Sequence, residues 1–488
     1  MTANASPDLL AGVPLGLLVG GHERASHDGR TFAVENPATA TPLAEVADAD
    51  ADDALAAVEA AAAAQASWAT TAPRQRADVL RVAADLLLEQ RERFARLMTA
   101  EMGKPLAEAR GEVDYAAELV RWFSEQTAHI SGGHGVTADG GMQMLVSKRP
   151  VGPCLLVTPW NFPLAMGARK IGPAIAAGCT MVFKPAPQTP LTSLAFAALL
   201  ADAGLPPGVL NVVTTSRAER ITDPMIDTGV LRKLSFTGST EVGRMLLATA
   251  ARTVMRVSME LGGNAPFLVF EDADLDVAVD AAVAAKMRNM GQACTAANRF
   301  LVQQPVAEEF THRLADRMTA LRVGDGMDPN TEVGPLIDRT SVEKVERLAA
   351  NAVSLGARVV GSGTVPDGAG HFCAPRVLTN VNADTAIARS EIFGPLAAIS
   401  TFVDEAEAVA TANATEWGLV GYVMTESLHR ALRVRDSLEV GMVGINTGIA
   451  SNPSAPFGGV KQSGVGREAG EVGIEEYLEL QYAAIPVR

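Results

Sequence analysis

The sequence predicts an α/β protein built on parallel sheets with helices on both faces, and three observations predict it. Past Pro150, strand-like runs alternate with helical ones: "PCLLVTPW" and "CTMVFKPA" read as strands, and "LTSLAFAALLADAG" as a helix ending at Gly204. "GVLNVVT" is a further strand, and "LRKLSFTGS" a strand that runs into a helix. A second strand-and-helix rhythm starts near "NAPFLVF" and continues through residues 272–287 and 306–321. Ahead of both, residues 50 to about 126 read as helical.

In chain order, the apolar run at residues 9–20 comes first. No basic residue precedes it, Pro14 interrupts it and a polar, charged segment follows, so it reads as a strand or hairpin rather than a signal peptide. It is too short to span a bilayer. Residues 50–89 are rich in Ala, Leu and charge, and Pro73 is placed to open the second helix there. The alanine run at 60–64 suits a closely packed helix face. "HISGGHGVTADGGMQMLVSKRP" carries two β-like runs around Gly-rich turns, a hairpin leaving the helical body. The final "YLELQYAAIPV" is an isolated strand that needs a partner, and that hairpin, in the same subunit or another, can supply it.

With 488 residues, 48% of them hydrophobic, the chain is long enough for two or three domains. A net charge of −15 argues against nucleic-acid and anionic-membrane partners. The cysteines, Cys154, Cys179, Cys294 and Cys373, are scattered, as reduced thiols of a cytoplasmic protein would be. The seven histidines form no pair at helical spacing, so no histidine metal site is expected.

Five short segments carry candidate chemistry, each with a bland reading beside it. Cys294, in "NMGQACTAANR", is either a small buried residue or a sulfur kept for its reactivity. Glu260, in "SMELGGNAPF", falls at a strand end, with Gly262 and Gly263 allowing close backbone approach; blandly, it is a solvated carboxylate before a turn. Asn161 sits between two prolines in "TPWNFP", where a rigid surface turn is the plain alternative. Gly238 and Ser239 mark a strand-to-helix junction whose free N–H groups suit a phosphate, although such turns connect many parallel strands. Lys184 ends another strand, where a lysine is usually just solvated.

Together these segments resemble the aldehyde dehydrogenase superfamily. The matching stretches are PWNFP (159–163), FKPAP (183–187), FTGSTEVG (236–243), ELGGNAP (260–266), GQACTAANR (291–299), EIFGP (391–395) and PFGGVKQSG (456–464). They stand in family order and span nearly the whole chain. The resemblance implies that fold: two Rossmann-like parallel-sheet domains plus a small oligomerisation sheet. The cofactor domain would take residues 1–126 and 151–261, the catalytic domain 262–470, and the oligomerisation segments 127–150 and 471–488. It also implies Cys294 as nucleophile, Asn161 with the Cys294 backbone N–H as oxyanion donors, and Glu260 as general base. No metal is needed. For the cofactor it implies Thr158, Pro159 and Trp160, Lys184 on the adenosine ribose, and Gly238–Ser239 at the pyrophosphate. Glu391 would hold the nicotinamide ribose, with Leu261 and Phe393 packed nearby.

"MGARKIGPAIAAGCT", "KMRNMGQAC" and "GINTGIASNPSAPFGGVKQSG" are most similar to the succinate-semialdehyde dehydrogenase subfamily. In that subfamily two arginines and a serine bind the substrate's distal carboxylate, which maps them onto Arg169, Arg288 and Ser451. The plain alternative is a helix cap at Arg169 and a surface ion pair at Arg288. The expected reaction is NAD(P)-dependent oxidation of a short ω-carboxy aldehyde in a homodimer or homotetramer. Its rivals are a glutarate-semialdehyde or broad-range enzyme and a non-catalytic protein retaining the fold. Two departures stand out: Ala296 replaces the second cysteine of several relatives, and Pro187 replaces the glutamate of many NAD-preferring ones. NADP use is therefore expected.

Overall fold

Local chemistry starts and stops the helices where the sequence places them. The computed structural model describes residues 9–487. Asp50 opens Ala51–Thr70 with a capping box: its carboxylate accepts from the Asp52 and Asp53 amides, and the Asp53 carboxylate answers the Asp50 amide. Pro73 is the first residue of Pro73–Glu89, and Gly103, in the left-handed region, ends Arg91–Met102. Helix α1, Leu106–Thr127, follows and packs along Pro73–Glu89.

The first sheet has at its centre four parallel strands: β1 (Cys154–Val157), β2 (Met181–Lys184), β3 (Lys233–Thr237) and β4 (Arg256–Glu260). Across the whole sheet the order is His22–Arg24, Leu17–Val19, Leu210–Val212, β2, β1, β3, β4 and Gly464–Val465. The 9–20 run thus contributes a short edge hairpin. Cys154 and Leu156 enter one core cluster while Leu155 and Val157 enter another. That is why the strand reads as unbroken apolar sequence: both faces are covered. Helix α2 (Pro163–Ala177) follows β1, and α3 (Thr240–Ala251) follows β3.

A second sheet runs in the order Arg358–Ser362, Arg376–Thr379, Leu396–Phe402, β6 (Ala297–Gln303), β5 (Ala265–Val269), Val420–Met424 and Met442–Ile445. All its pairings but the first are parallel. Helix α4 (Leu275–Met287), capped by Asp274, leads from β5 towards β6. The terminal strand, Leu478–Pro486, finds its partner within the chain. It pairs antiparallel with Met142–Pro150 over its full length, and Gly133–Val136 completes a third sheet.

Candidate active site

Thr158, Lys184, Gly238 and Leu261 each follow or end a strand of the first sheet, and Glu260 ends β4. They therefore gather at the carboxyl ends of parallel strands, where open α/β sheets bind ligands. Cys294 reaches the same place from the second sheet, on the segment between α4 and β6. The turn before it, Arg288–Gly291, is strained: Asn289 and Met290 take φ of 55° and 56°. Gly291 is obligatory there, since its φ is +77° and a Cβ would lie 2.2 Å from the Gly394 carbonyl oxygen. Hydrogen bonds hold this shape. The Asn289 amide donates to the Asn161 and Gln292 carbonyls, both at 2.9 Å, and Glu108 accepts from the Asn289 backbone at 2.6 Å.

Asn161 is tied to the same frame. Lys104, buried against Glu112, donates to the Asn161 carbonyl at 2.9 Å. Glu112 accepts from the Leu164 and Ala165 amides at 3.0 and 3.1 Å, satisfying the start of α2. The Asn161 side chain donates one N–H to the Gln292 carbonyl at 3.0 Å, leaving its second N–H available.

Glu260 is buried, and neither of its carboxylate oxygens has a hydrogen-bond partner. Burial first, and the like charge of Glu468 second, hold its carboxyl well above the usual range. Glu468 itself accepts from Lys170 at 2.6 Å and lies 3.8 Å from Arg169. Cys294 is half-buried, and desolvation pushes its thiol up to about 12 despite the opposing Arg169 charge. Glu260 borders the same cavity.

That cavity, of about 270 Å³, is lined by Asn161, Glu260 and Cys294 together. Pro159, Trp160, Gly238 and Ser239 line it too, as do Leu261, Glu391 and Phe393. Ser239 caps α3 by accepting from the Val242 amide at 3.4 Å, so the helix N-terminus begins at the cavity wall. Trp160 and Phe393 meet edge to face, 5.4 Å between centroids. Burial lifts the Glu391 carboxyl to about 7. Thr158 and Lys184 stand outside the lining, at adjoining strand ends, where the Thr158 amide donates to the Lys184 carbonyl at 3.3 Å.

A second pocket, of about 20 Å³, brings Arg169, Arg288 and Ser451 together with Cys294. Arg169 is no helix cap: it lies inside α2 and is 3% exposed. Its guanidinium stacks 3.9 Å from the Phe457 ring centroid and donates to the Tyr115 hydroxyl at 3.0 Å. Its Nε and Nη1 have no hydrogen-bond partner. Arg288 stands 5.0 Å over the Phe162 ring instead of forming a surface ion pair.

Several residues that matter here carried no motif. Glu108, Glu112 and Tyr115 belong to a stretch that reads simply as helix, although their spacing of four and three puts them on one face. That shared face was the available signal. Lys170, Glu468 and Gln292 sit inside or beside quoted motifs, yet nothing in the local sequence says what they touch.

A family model described as "Aldehyde dehydrogenase family" matches residues 24–483. The chain is 58% identical over 443 residues to a succinate-semialdehyde dehydrogenase of Paenarthrobacter nicotinovorans, covering 91% of this chain and 98% of that protein. It is 47% identical to GabD of Escherichia coli strain K12, a succinate-semialdehyde dehydrogenase named for NADP(+), over 96% of this chain and 97% of that one. A crystal structure of an aldehyde dehydrogenase from Brucella melitensis biovar abortus 2308 has a TM-score of 0.96 and 45% identity over all of both chains.

Proposed function

The chain belongs to the aldehyde dehydrogenase family, and on that footing we propose that it oxidises succinate semialdehyde to succinate with a nicotinamide cofactor. One observation carries the substrate. Arg169 is buried, two of its nitrogens lack partners, and its pocket also holds Arg288, Ser451 and the Cys294 thiol. Although Glu468 lies 3.8 Å away, this buried guanidinium keeps donors that no side chain fills, and a carboxylate is the group best suited to answer them.

The larger cavity fits the cofactor. The Thr158 and Thr237 hydroxyls near it are buried without partners. The Lys184 ammonium, pushed down to about 8 by burial, donates only to the Pro185 carbonyl among the described residues, at 3.1 Å. Gly238 and Ser239 would hold the pyrophosphate, Lys184 and Thr158 the adenosine side, and Glu391 the nicotinamide ribose. Pro159, Trp160, Leu261 and Phe393 would shape the walls. When bound, the cofactor supplies a hydride acceptor.

The residues of the chain do the rest. Cys294, as thiolate, adds to the aldehyde carbon, and the free Asn161 N–H and the Cys294 backbone N–H stabilise the resulting oxyanion. Once hydride has left, a thioester remains. Glu260 takes a proton from water, which attacks the thioester and releases the acid and the Cys294 thiolate, and Glu260 then gives that proton up to solvent. No metal enters this scheme.

We further propose that NADP is used efficiently. Pro187 has neither a carboxylate to repel a 2′-phosphate nor an amide to bind a ribose hydroxyl, and exclusion often decides such choices. The domain division proposed is the one above, although Gly464–Val465 returns to pair with β4. A homodimer or homotetramer is favoured by the terminal strand, which leaves Leu480, Tyr482 and Ile485 exposed. Free cysteines favour the cytoplasm, and no described helix is long and apolar enough to cross a membrane.

A substrate panel tests the central claim. Succinate semialdehyde should beat butanal and glutarate semialdehyde in kcat/KM, and Arg288→Ala should cost succinate semialdehyde about one to two orders of magnitude. Butanal should lose much less. Equal losses on both substrates would reduce the arginines to a structural role.

A further inference from the structure

Three side chains of α1 point at the site from one helix face. Glu108 holds the turn before Cys294, Glu112 holds the start of α2, and Tyr115, one turn on, reaches the guanidinium pocket. The Tyr115 hydroxyl lies 3.0 Å from Arg169 Nη2 and 2.7 Å from Ser451 Oγ. We propose that Tyr115 is a specificity-determining positioning residue, which fixes Arg169 and turns the Ser451 hydroxyl into a hydrogen-bond donor for the distal carboxylate. This rests on the ω-carboxy reading above and deepens it.

The direction of the chain of hydrogen bonds follows from the groups themselves. A guanidinium has donors and no acceptor, so the Tyr115 oxygen accepts from Arg169. Accepting from a cation polarises the phenol O–H and makes it the better donor of the two hydroxyls. A phenol is also the more acidic of the pair. Its proton therefore goes to Ser451 Oγ, and the Ser451 proton is left for an acceptor in the pocket. A pocket floor presenting Arg169, Arg288 and this proton offers donors alone. It recognises an anion and rejects aldehydes whose far end is cationic or only a donor. Tyr115 also restrains Arg169 laterally, since the Phe457 ring supports the guanidinium by its face.

Tyr115→Phe keeps the ring and removes only the hydroxyl. It should raise KM for succinate semialdehyde roughly tenfold or more, with kcat little changed, because one hydrogen bond to a charged group and the orientation of a second are lost. Butanal should suffer far less. The double variant Tyr115→Phe/Ser451→Ala should be little worse than the poorer single variant, since both act on one interaction. Equal losses on the two aldehydes, or strictly additive losses in the double variant, would overturn the proposal. Turnover of butanal also reports whether the variant is folded. If the unmodified enzyme fails to prefer succinate semialdehyde over butanal, the ω-carboxy reading itself falls, and this inference with it.

Discussion

The larger cavity at Cys294 is bordered by two carboxyls, Glu260 and Glu391, and the smaller by two guanidiniums, Arg169 and Arg288. Burial works against the charge on Glu260, Glu391 and Arg169 alike, but their neighbours lead to different outcomes. It brings Glu391 to about 7 and raises Glu260 well above its usual range, so both are held more protonated than free carboxyls. Desolvation opposes the charge on Arg169 too, but Tyr115 and Glu468 more than offset it, and the group stays cationic. The larger cavity therefore holds carboxyls whose charge burial disfavours, while Arg169 in the smaller pocket keeps its positive charge. The comparison teaches that burial alone does not decide the charge of a group at Cys294; the groups that face it do.

The largest effect tests the sulfur that both cavities share. Cys294→Ala should cut NAD(P)H production by more than roughly a thousandfold while leaving cofactor binding, followed by tryptophan fluorescence, largely intact. Near-normal turnover would remove the mechanism altogether.

Next comes Glu260. Glu260→Gln should lower steady-state turnover by roughly 10²- to 10⁴-fold yet retain a rapid burst of reduced cofactor, because deacylation stalls after hydride transfer. Loss of the burst in stopped-flow absorbance would mean that Glu260 acts chiefly on the thiol.

A smaller change is expected at the cofactor end. Pro187→Glu should move the NADP/NAD ratio of kcat/KM towards NAD by about tenfold, through repulsion of the 2′-phosphate. An unmodified enzyme that strongly prefers NAD at saturating aldehyde would refute the NADP expectation outright.

The smallest effect sharpens the electrostatic contrast. Glu260 works as the carboxylate, so activity should rise with pH along a limb set above the ordinary carboxyl range. Glu468→Gln removes the like charge and leaves Lys170 and Arg169 facing Glu260. Both changes favour the ionised form, so the limb should shift to lower pH. A pH profile of kcat with an unmoved or alkaline-shifted limb would show that Glu468 does not tune Glu260.

Much of this was open to a reader of the sequence, for a local reason. A buried parallel strand is an apolar run, and its end is marked by the first polar or Gly-rich residues after it. Lys184, Glu260, Gly238 and Asn161 are all placed that way, and the order of their motifs led to the family. The pairing of "YLELQYAAIPV" with the hairpin was legible as well, though the sequence left open which subunit supplied it. Helix α1 was different. The face shared by Glu108, Glu112 and Tyr115 was visible at helical spacing, but spacing says which residues share a face and not what the face meets.

What the sequence determined by itself is therefore the set of elements, the types of reactive residue and their positions at element ends, since periodicity and turn chemistry act over a few neighbours. Only the tertiary structure decided that Tyr115 meets Ser451 across 336 residues of chain. It also decided that Glu468 stands near enough to Glu260 to raise its carboxyl, and that two nitrogens of Arg169 are buried without partners. Each of these depends on distance through space and on the exclusion of water. Burial and proximity arise only when the two sheets close on Cys294, and they set both the protonation of Glu260 and the charge that awaits a carboxylate.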